Sequence, residues 1–385
     1  MRTMINENGE TVSEAARLPT TFQAYGCRCN ELSPEELFSR YEQAGFLYQA
    51  KLGQLAPYLP LVRQNWRKAL RAGELVLYVV THQGSTRDEW ASVSAWRNTR
   101  RGFQAQHLVS TGGPMITRAV VLGIQATRLH DGCDDQNLQS WFRPENRFPA
   151  RVFGSLPKTI GPENSTVVNL NLLSCPVGLG RASRCATVLS DRQNGRTSGL
   201  AQLAETVRGK IYVEAEELDQ DDLLLEATDE LYAQIGLRRY RRVWLAIFPG
   251  CEAPVGAAIA YRGPLGFNFS FLENRCELLL SPALTAEQVS DVTLALLNSA
   301  SVAYRDLETQ SIPVVVDDRS VACVMDAGGR FVRRYSQSIW LRDGFPAFCQ
   351  HVEKFYTRIR HANRREGLGG RASSPSNNSL NPKSI

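Results

Sequence analysis

The stretch HLVSTGGPMITRAVVLGI, residues 107–124, joins an apolar run to a helical pattern through two adjacent glycines. The preceding residues, FQAQHLV at 103–109, are typical of a β-strand, and Pro114 suits the first position of a helix over 114–130. Backbone N–H groups at such a helix start can bind an anion, because the positive end of the helix dipole lies there. The alternative interpretation is a plain strand-to-helix turn.

The same order of elements occurs twice along the chain. In the first half we predict strands over 45–51, 75–81, 90–96, 103–109, 138–143 and 165–173, and helices over 52–74, 114–130 and 145–156. In the second half we predict strands over 210–217, 241–248, 254–262, 267–280, 311–317 and 330–341, and helices over 219–236, 285–307 and 318–327. Thr285 and Gln288 have the spacing of a capping box at a helix start. Both halves therefore read β–α–β–β–β–α–β–α–β, which indicates an α+β protein with two similar halves.

The length of 385 residues favours two domains over one core. Turn-forming residues with little strand character separate the halves, and the C-terminal residues are rich in Gly, Ser, Asn and Pro. We predict a flexible arm at 1–30, a first domain at 31–180, a linker at 181–207, a second domain at 208–362 and a disordered tail at 363–385.

Composition narrows the range of functions. The chain is 43% hydrophobic and 22% charged, with no secretory signal and no apolar run long enough for a spanning helix, so we expect a cytoplasmic protein without a membrane partner. Its nine cysteines contain no C-x-x-C pair, so no metal is expected. A net charge of +5 makes nucleic acid an unlikely partner. Three arginine clusters are either solvated faces or contacts for an anionic ligand: Arg97, Arg100 and Arg101; Arg238, Arg239, Arg241 and Arg242; Arg333 and Arg334.

Two stretches carry a resemblance to a known family. They are ASVSAW…HLVSTGGPMITRAVVLGIQA at 91–126 and APVGAAIAYR…TAEQVSDVTLALLNSASVAY at 253–304. With the order of elements, they resemble the GNAT superfamily of N-acetyltransferases, present twice over about residues 40–175 and 208–345. The resemblance implies two tandem acetyltransferase-like domains, each a mixed, mostly antiparallel sheet flanked by helices. It also implies acetyl-CoA or another acyl-CoA as co-substrate, with no metal.

The family binds the acyl-CoA pyrophosphate on the loop between its fourth strand and the next helix. In the first half this loop falls on Val109, Ser110, Thr111, Gly112 and Gly113, although the family's leading Gln or Arg is missing and Pro114 lacks an N–H group. The matching loop of the second half, residues 281–285, contains no glycine. We therefore expect the first half to bind the donor.

Transfer of an acyl group from a thioester to an amine needs a base and often a proton donor. The candidate catalytic residues are His107, Glu145 and Asn146, of which Asn146 fits the asparagine usual in the family, while Phe153 stands where a tyrosine would help. The segment YRGPLGFNFSFLENR at 261–275 is either a hairpin with an aromatic face or the edge of a substrate groove. The candidate substrate-binding residues there are Arg262, Asn268, Glu273 and Arg275.

The resemblance implies an acyl-CoA-dependent N-acyltransferase acting on a small-molecule or peptide amine. The missing tyrosine and the glycine-free second loop keep an alternative open, a non-catalytic acyl-CoA or small-ligand binding or regulatory protein of the same fold. A cleft between the fourth and fifth strands of the first half would favour donor binding. A closed sheet there would contradict the hypothesis of donor binding.

Overall fold

The computed structural model describes residues 4–5, 11–12, 25–130, 133–178, 186–190, 199–220 and 222–369. Most of the predicted arm, the end of the predicted tail and much of the predicted linker therefore lie outside the described residues. The short strands β1 (Met4–Ile5) and β2 (Thr11–Val12) pair with each other. The predicted domain boundaries stay a prediction.

The other described strands form one twelve-stranded sheet. They are β3 (Arg28–Cys29), β4 (Leu77–Gln83), β5 (Trp90–Thr99), β6 (Gly102–Ser110), β7 (Asn137–Phe142), β8 (Ser165–Pro176), β9 (Thr187–Ser190), β10 (Tyr240–Ile247), β11 (Gly256–Arg262), β12 (Cys276–Leu280), β13 (Ser311–Val316) and β14 (Arg330–Leu341). Their order is β3-β4-β5-β6-β7-β14-β8-β13-β12-β11-β10-β9. Within this sheet the pairs β6–β7 and β12–β13 are parallel and the rest are antiparallel.

Helices flank the sheet and supply the two crossovers that parallel pairs require. They are α1 (Pro34–Gln43), α2 (Gln49–Leu55), α3 (Leu59–Arg71), α4 (Pro114–Arg128), α5 (Arg147–Val152), α6 (Leu156–Thr159), α7 (Leu200–Arg208), α8 (Lys210–Ala215), α9 (Glu226–Ala233), α10 (Ala286–Ala300), α11 (Val321–Asp326) and α12 (Phe345–Gly369). Helix α4 connects β6 to β7, and α10 connects β12 to β13. No helix in the described part of the chain is long and apolar enough to cross a membrane.

The strand order is approximately symmetric about the central pair, β14 and β8, with equivalent strands of the two halves on either side. Strand β14 of the second half lies between β7 and β8 of the first, and β8 lies between β14 and β13. Each half thus completes its sheet with the last strand of the other half. The predicted α+β fold, with a mixed and mostly antiparallel sheet flanked by helices in each half, is confirmed.

The two faces of the first half have different cores. On one face α4 and the C-terminal helix α12 pack together, burying Val120 and Leu122 against Phe348 and Val352. On the other face α1 and α3 pack against residues 264–271, a segment from the second half that we call the bridging loop. Apolar side chains from both halves are buried in this one cluster. Separation of the halves would expose these side chains to water and lose their hydrophobic contribution to stability, so the cluster holds the halves together.

Three predicted elements differ from the structure. Residues 45–51, predicted as a strand, form a turn and the start of α2, and residues 210–217, also predicted as a strand, form α8 and the turn that follows it. Strand β12 begins only at Cys276, because the preceding bridging loop leaves the sheet. Side-chain contacts from distant parts of the chain override local strand propensity here: the hydroxyl of Tyr212 on α8 donates a hydrogen bond to Glu277 on β12. The predicted capping box at Thr285 and Gln288 is confirmed.

Candidate donor and acceptor site

Strands β6 and β7 separate part-way along their length. Their pairing begins at Gly102 opposite Asn137 and ends at Ala105 opposite Ser140. Strand β6 nevertheless continues to Ser110, where it pairs with its other neighbour, β5. The two parallel strands therefore diverge toward their carboxyl ends. This is the open arrangement that a donor cleft between the fourth and fifth strands requires.

A β-bulge at His107 marks the point where the strands part. The register between β5 and β6 shifts there, and His107 has a left-handed backbone with φ of 51°. Its side chain faces α1 and α3, stacks on Phe269 of the bridging loop with ring centres 4.0 Å apart, and is buried. One ring nitrogen lies 3.3 Å from the Ser94 hydroxyl, and the other accepts a hydrogen bond from the Phe269 N–H group at 3.3 Å.

These contacts decide the protonation state of His107. Burial and the positive charge of Lys51 hold the pKa of His107 well below its usual value of 6.5. The ring is therefore neutral at pH 7, as a general base must be. Its accepting nitrogen already bonds the Phe269 N–H group, so the bridging loop must release that bond before His107 can take a proton from a substrate.

The predicted donor loop is anchored at its strand end. Val109 is buried against the face that carries α1 and α3. The Ser110 hydroxyl accepts a hydrogen bond from the Thr117 hydroxyl at 2.9 Å, and the Thr111 N–H group donates to the carbonyl of Trp90. Ser110 and Thr111 therefore fix the path of the loop, and their hydroxyl groups are occupied by protein partners.

The glycine end of the loop is open. Gly113 is the N-cap of α4 and provides no side-chain cap, and Gly112 passes so close to Ile116 that a Cβ atom would lie 2.3 Å from its Cδ1. Within the described residues, the N–H groups of Gly112, Gly113 and Met115 donate to no protein acceptor. Unpaired N–H groups at the positive end of a fifteen-residue helix suit an anionic ligand.

The corresponding place in the second half is closed. The Thr285 hydroxyl accepts a hydrogen bond from the Gln288 N–H group, and the Gln288 side chain accepts one from the Thr285 N–H group. The guanidinium of Arg319 donates to the carbonyls of Leu280 and Ser281 at the end of β12. The capping box thus satisfies the N–H groups of Thr285 and Gln288 with the protein's own side chains.

Two of the predicted substrate-binding residues shape the bridging loop. The Asn268 side chain donates to the Gln106 side chain at 2.7 Å, next to the bulge on β6. The Glu273 carboxylate accepts hydrogen bonds from the N–H groups of Gly266 at 2.6 Å and of Asn268 at 3.3 Å. Burial raises the pKa of Glu273 to about 8, against the effect of these N–H groups. Asn268 therefore lies beside the first-half cleft as part of the bridging loop, and Glu273 holds the loop from outside it.

The other two predicted substrate-binding residues lie elsewhere and have protein partners. Arg262 forms an ion pair with Asp306 at 2.6 Å. Arg275 is fully buried between the carboxylates of Glu277, at 2.5 Å, and Glu216, at 3.2 Å. These contacts link α8, β12 and the connection after α10. Arg262 therefore pairs outside β6 and β7, whereas Arg275 also lies over the ring of Trp141 on β7, 5.6 Å from the ring centre.

Glu145 and Asn146 precede α5, near the end of β7. Asn146 is the N-cap of α5 but its side chain makes no capping hydrogen bond, and Glu145 is exposed. Phe153, at the position where the family has a tyrosine, stacks on Trp340 with ring centres 5.6 Å apart and is buried. A proton donor at that position is therefore replaced by a core side chain.

A group of cations that sequence reasoning missed gathers around Tyr48; we call Lys51, Arg143 and Arg333 the cationic cluster. Arg143, just after β7, donates a hydrogen bond to the Tyr48 hydroxyl at 3.1 Å, and Arg333 on β14 hydrogen-bonds the same phenol. The Lys51 ammonium lies 3.8 Å from the ring centre of Phe46 and 5.4 Å from that of Tyr48. Phe46 in turn contacts His107, with ring centres 5.7 Å apart.

The cluster shifts the pKa values of its own members. Burial, together with the charges of Arg143 and Arg333, lowers the pKa of Lys51 to about 8. Burial acts to raise the pKa of Tyr48, but hydrogen bonds from Arg143 and Arg333 and their charges lower it overall. The sequence predicts only part of the cationic cluster. Arg333 belongs to a predicted basic cluster, whereas Lys51 ends a segment, residues 45–51, that is predicted as a strand. The neighbouring Arg334 forms an ion pair with Asp318 instead.

A pocket of about 250 Å³ adjoins the cationic cluster through Arg333. Its walls come from α2 and its following turn, the bridging loop, and the central strands β8, β13 and β14. Tyr58 and Phe271 supply an aromatic wall, with ring centres 6.0 Å apart, while Ser174 and Ser311 supply hydroxyl groups. No group of three or more His, Cys, Asp or Glu side chains is placed to hold a metal ion within the described ranges.

Comparisons with known proteins give matches among solved structures alone. No protein-family model matches the chain, and no curated protein matches its sequence. A tandem GNAT protein from the clavulanic acid biosynthesis pathway is 11% identical, with 82% of this chain and 98% of that chain covered and a TM-score of 0.37. A putative acetyltransferase from Pyrococcus horikoshii is 8% identical, with coverage of 82% and 89% and a TM-score of 0.39. A GCN5-related N-acetyltransferase from Sphaerobacter thermophilus is 14% identical, with coverage of 71% and 84% and a TM-score of 0.32.

Proposed function

We propose that this protein is an acyl-CoA-dependent N-acyltransferase that binds its donor in the first half. In this proposal the pyrophosphate lies on the N–H groups of Gly112, Gly113 and Met115. The pantetheine and the thioester enter the cleft between β6 and β7. The acceptor amine approaches from the face that carries α1, α2 and α3.

One observation carries the proposal, namely the contrast between the two crossover helices. The first follows diverging strands and begins at an uncapped glycine, whereas the second begins at a threonine whose capping box is complete. Helix starts in folded proteins are usually satisfied by a side chain, water or ligand. The uncapped start therefore supports an anionic ligand in the first half, and the closed second start supports none there.

The chain's own residues also bear on the transfer step. An acceptor amine must be neutral before its lone pair attacks the thioester carbonyl, and the cleavage of the C–S bond then releases CoA as a thiol. Burial is the largest cause of the lowered pKa of Lys51, and it would lower the pKa of a bound amine for the same reason. His107 is the candidate base once Phe269 withdraws its N–H group.

A calorimetric titration with CoA and acetyl-CoA tests donor binding directly. We expect one molecule bound per chain and a rise in melting temperature, since a ligand that binds only the native state stabilises it by mass action. Turnover is then assayed by release of CoA thiol with a panel of amines. Absence of binding at millimolar CoA would refute the proposal, and binding without turnover across the panel would leave the second candidate.

The second candidate is a non-catalytic protein that binds acyl-CoA or a small ligand. Two observations favour it: Phe153 occupies the position of the family's tyrosine, and both nitrogens of His107 already have protein partners. Both candidates use the same cleft, so the His107→Asn variant separates them. Loss of turnover with retained CoA affinity would support the enzyme.

A further inference from the structure

In the part of the chain that the structure describes, no carboxylate forms an ion pair with the cationic cluster. Lys51, Arg143 and Arg333 come from three separate elements, the helix α2, the end of β7 and the strand β14. Within the described residues, none of the three forms an ion pair, while other exposed or half-buried arginines nearby do so, as Arg334 does with Asp318. Three half-buried cations around one phenol repel one another, so their gathering needs a compensating group.

We propose that the cationic cluster binds the anionic group, a carboxylate or a phosphate, of the acceptor, whose body occupies the adjoining pocket. The inference rests on the proposed function, because it treats the face of α1, α2 and α3 as the acceptor side. It names a substrate class: small amines that also carry an oxyanion. The two guanidinium groups suit such a group, since planar forks bind carboxylate and phosphate oxygens in pairs.

The pocket supports a small acceptor rather than a protein chain. Its volume of about 250 Å³ is just below the range of roughly 300–1,000 Å³ typical of small-molecule sites. Arg333 lines it, so an anionic group held by the cluster would leave the rest of the ligand against the aromatic wall of Tyr58 and Phe271. The hydroxyls of Ser174 and Ser311 and the side chain of Gln54 offer further polar contacts.

The cluster also lies close to the proposed transfer step. The ring of Phe46 contacts both the Lys51 ammonium, at 3.8 Å from its centre, and the ring of His107, at 5.7 Å between centres. An anion on the cluster is therefore separated from the bulge on β6 by about one aromatic ring. A short amine whose oxyanion binds the cluster can reach the mouth of the β6–β7 cleft.

Lys51 provides a reporter that is independent of acyl transfer. The chain has six lysines, so reductive methylation with ¹³C-formaldehyde gives a simple NMR spectrum in which the lysine charge is kept, and Lys51→Met identifies the Lys51 signal. The probes are inorganic phosphate and acetate, each compared with sodium chloride at equal ionic strength. We expect either probe to raise the titration midpoint of Lys51 by about one pH unit, as an adjacent opposite charge does.

Variants on β14 give a matched control. Arg333→Met should abolish the response of Lys51 to phosphate, and so should Arg143→Met, whereas Arg334→Met should leave the response intact because that side chain pairs with Asp318. A Lys51 titration midpoint that does not respond to either probe would overturn the inference. An equal loss of the Lys51 response to phosphate in Arg333→Met and Arg334→Met would also overturn it.

Titration of the same protein with CoA distinguishes failure of the anion site from failure of the proposed function. If CoA binds but phosphate and acetate leave Lys51 unchanged, the donor site stands and the anionic acceptor site is wrong. If the probes raise the Lys51 midpoint but CoA does not bind, the anion site stands without the acyltransferase.

Discussion

The substitution Gly113→Asp separates the stability of the donor loop from its proposed function. Gly113 has φ of −65° and open space around the position of a Cβ atom, so an aspartate fits there without strain. Aspartate is a preferred N-cap, and replacing glycine by it is worth a few tenths of a kcal/mol, with about 0.3–1 kcal/mol more from its charge at the helix dipole. We therefore expect the variant to be slightly more stable than the wild type.

The same substitution should weaken donor binding. The new carboxylate would bond the N–H groups that the pyrophosphate is proposed to use, and it would place a negative charge about 4 Å from the phosphates. Repulsion at that distance costs about 1 kcal/mol in water and about 4 kcal/mol near a protein surface, which is at least about fivefold in affinity. Urea unfolding and calorimetric titration with CoA measure the two effects. A more stable variant with unchanged CoA affinity would refute our assignment of the loop.

Two controls accompany this prediction. Gly113→Ala adds no charge and no capping group, so it should keep both fold and affinity near those of the wild type. Thr285→Ala removes the cap of α10 and should cost about 1 kcal/mol of stability without changing CoA affinity. A loss of affinity in Thr285→Ala would indicate that the donor depends on the second half.

Two further predictions concern the interior. The pKa of His107 lies well below the unfolded value of 6.5, so the unfolded chain binds the extra proton, and stability should fall as pH decreases below 6.5, by up to about 1.4 kcal/mol per pH unit. His107→Asn, which tolerates the left-handed backbone, should remove this component from urea unfolding curves recorded between about pH 5 and 8; an unchanged pH dependence would contradict the contacts described for His107. Arg275→Met leaves Glu277 buried without its cation, while Glu216 keeps the buried Arg241 at 3.9 Å. The variant should lower the free energy of unfolding by about 3–5 kcal/mol, against less than about 1 kcal/mol for the exposed Arg334→Met. Equal losses of unfolding free energy in Arg275→Met and Arg334→Met would show that the buried cation contributes no more to stability than the exposed one.

Several features of the protein were predicted from local pattern. Strand runs, both crossover helices and the capping box at Thr285 depend on residues near one another in sequence, and these appear as predicted. The glycine pair at 112–113 was also singled out, because glycine beside a helix start is visible without any tertiary contact. The repeated order of elements was enough to predict two similar halves.

Local pattern failed where partners lie far away along the chain. Residues 45–51 and 210–217 contain the apolar and aromatic residues typical of strands. Residues 45–48 nevertheless form a turn before α2, and residues 210–215 form α8, where packing with distant segments decides. The stretch around Asn268 and Glu273 was correctly marked as unusual, but its contact with Gln106, more than 160 positions earlier, could not be inferred from spacing.

The sequence by itself determined most of the strands, both crossover helices and the glycine pair that precedes α4. Only the tertiary structure decided that β8 and β14 pair at the centre, that the bridging loop covers His107, and that Lys51, Arg143 and Arg333 meet around Tyr48. The physical reason is that periodicity and propensity act over a few residues, whereas strand exchange and charge clustering depend on contacts between elements far apart in the chain.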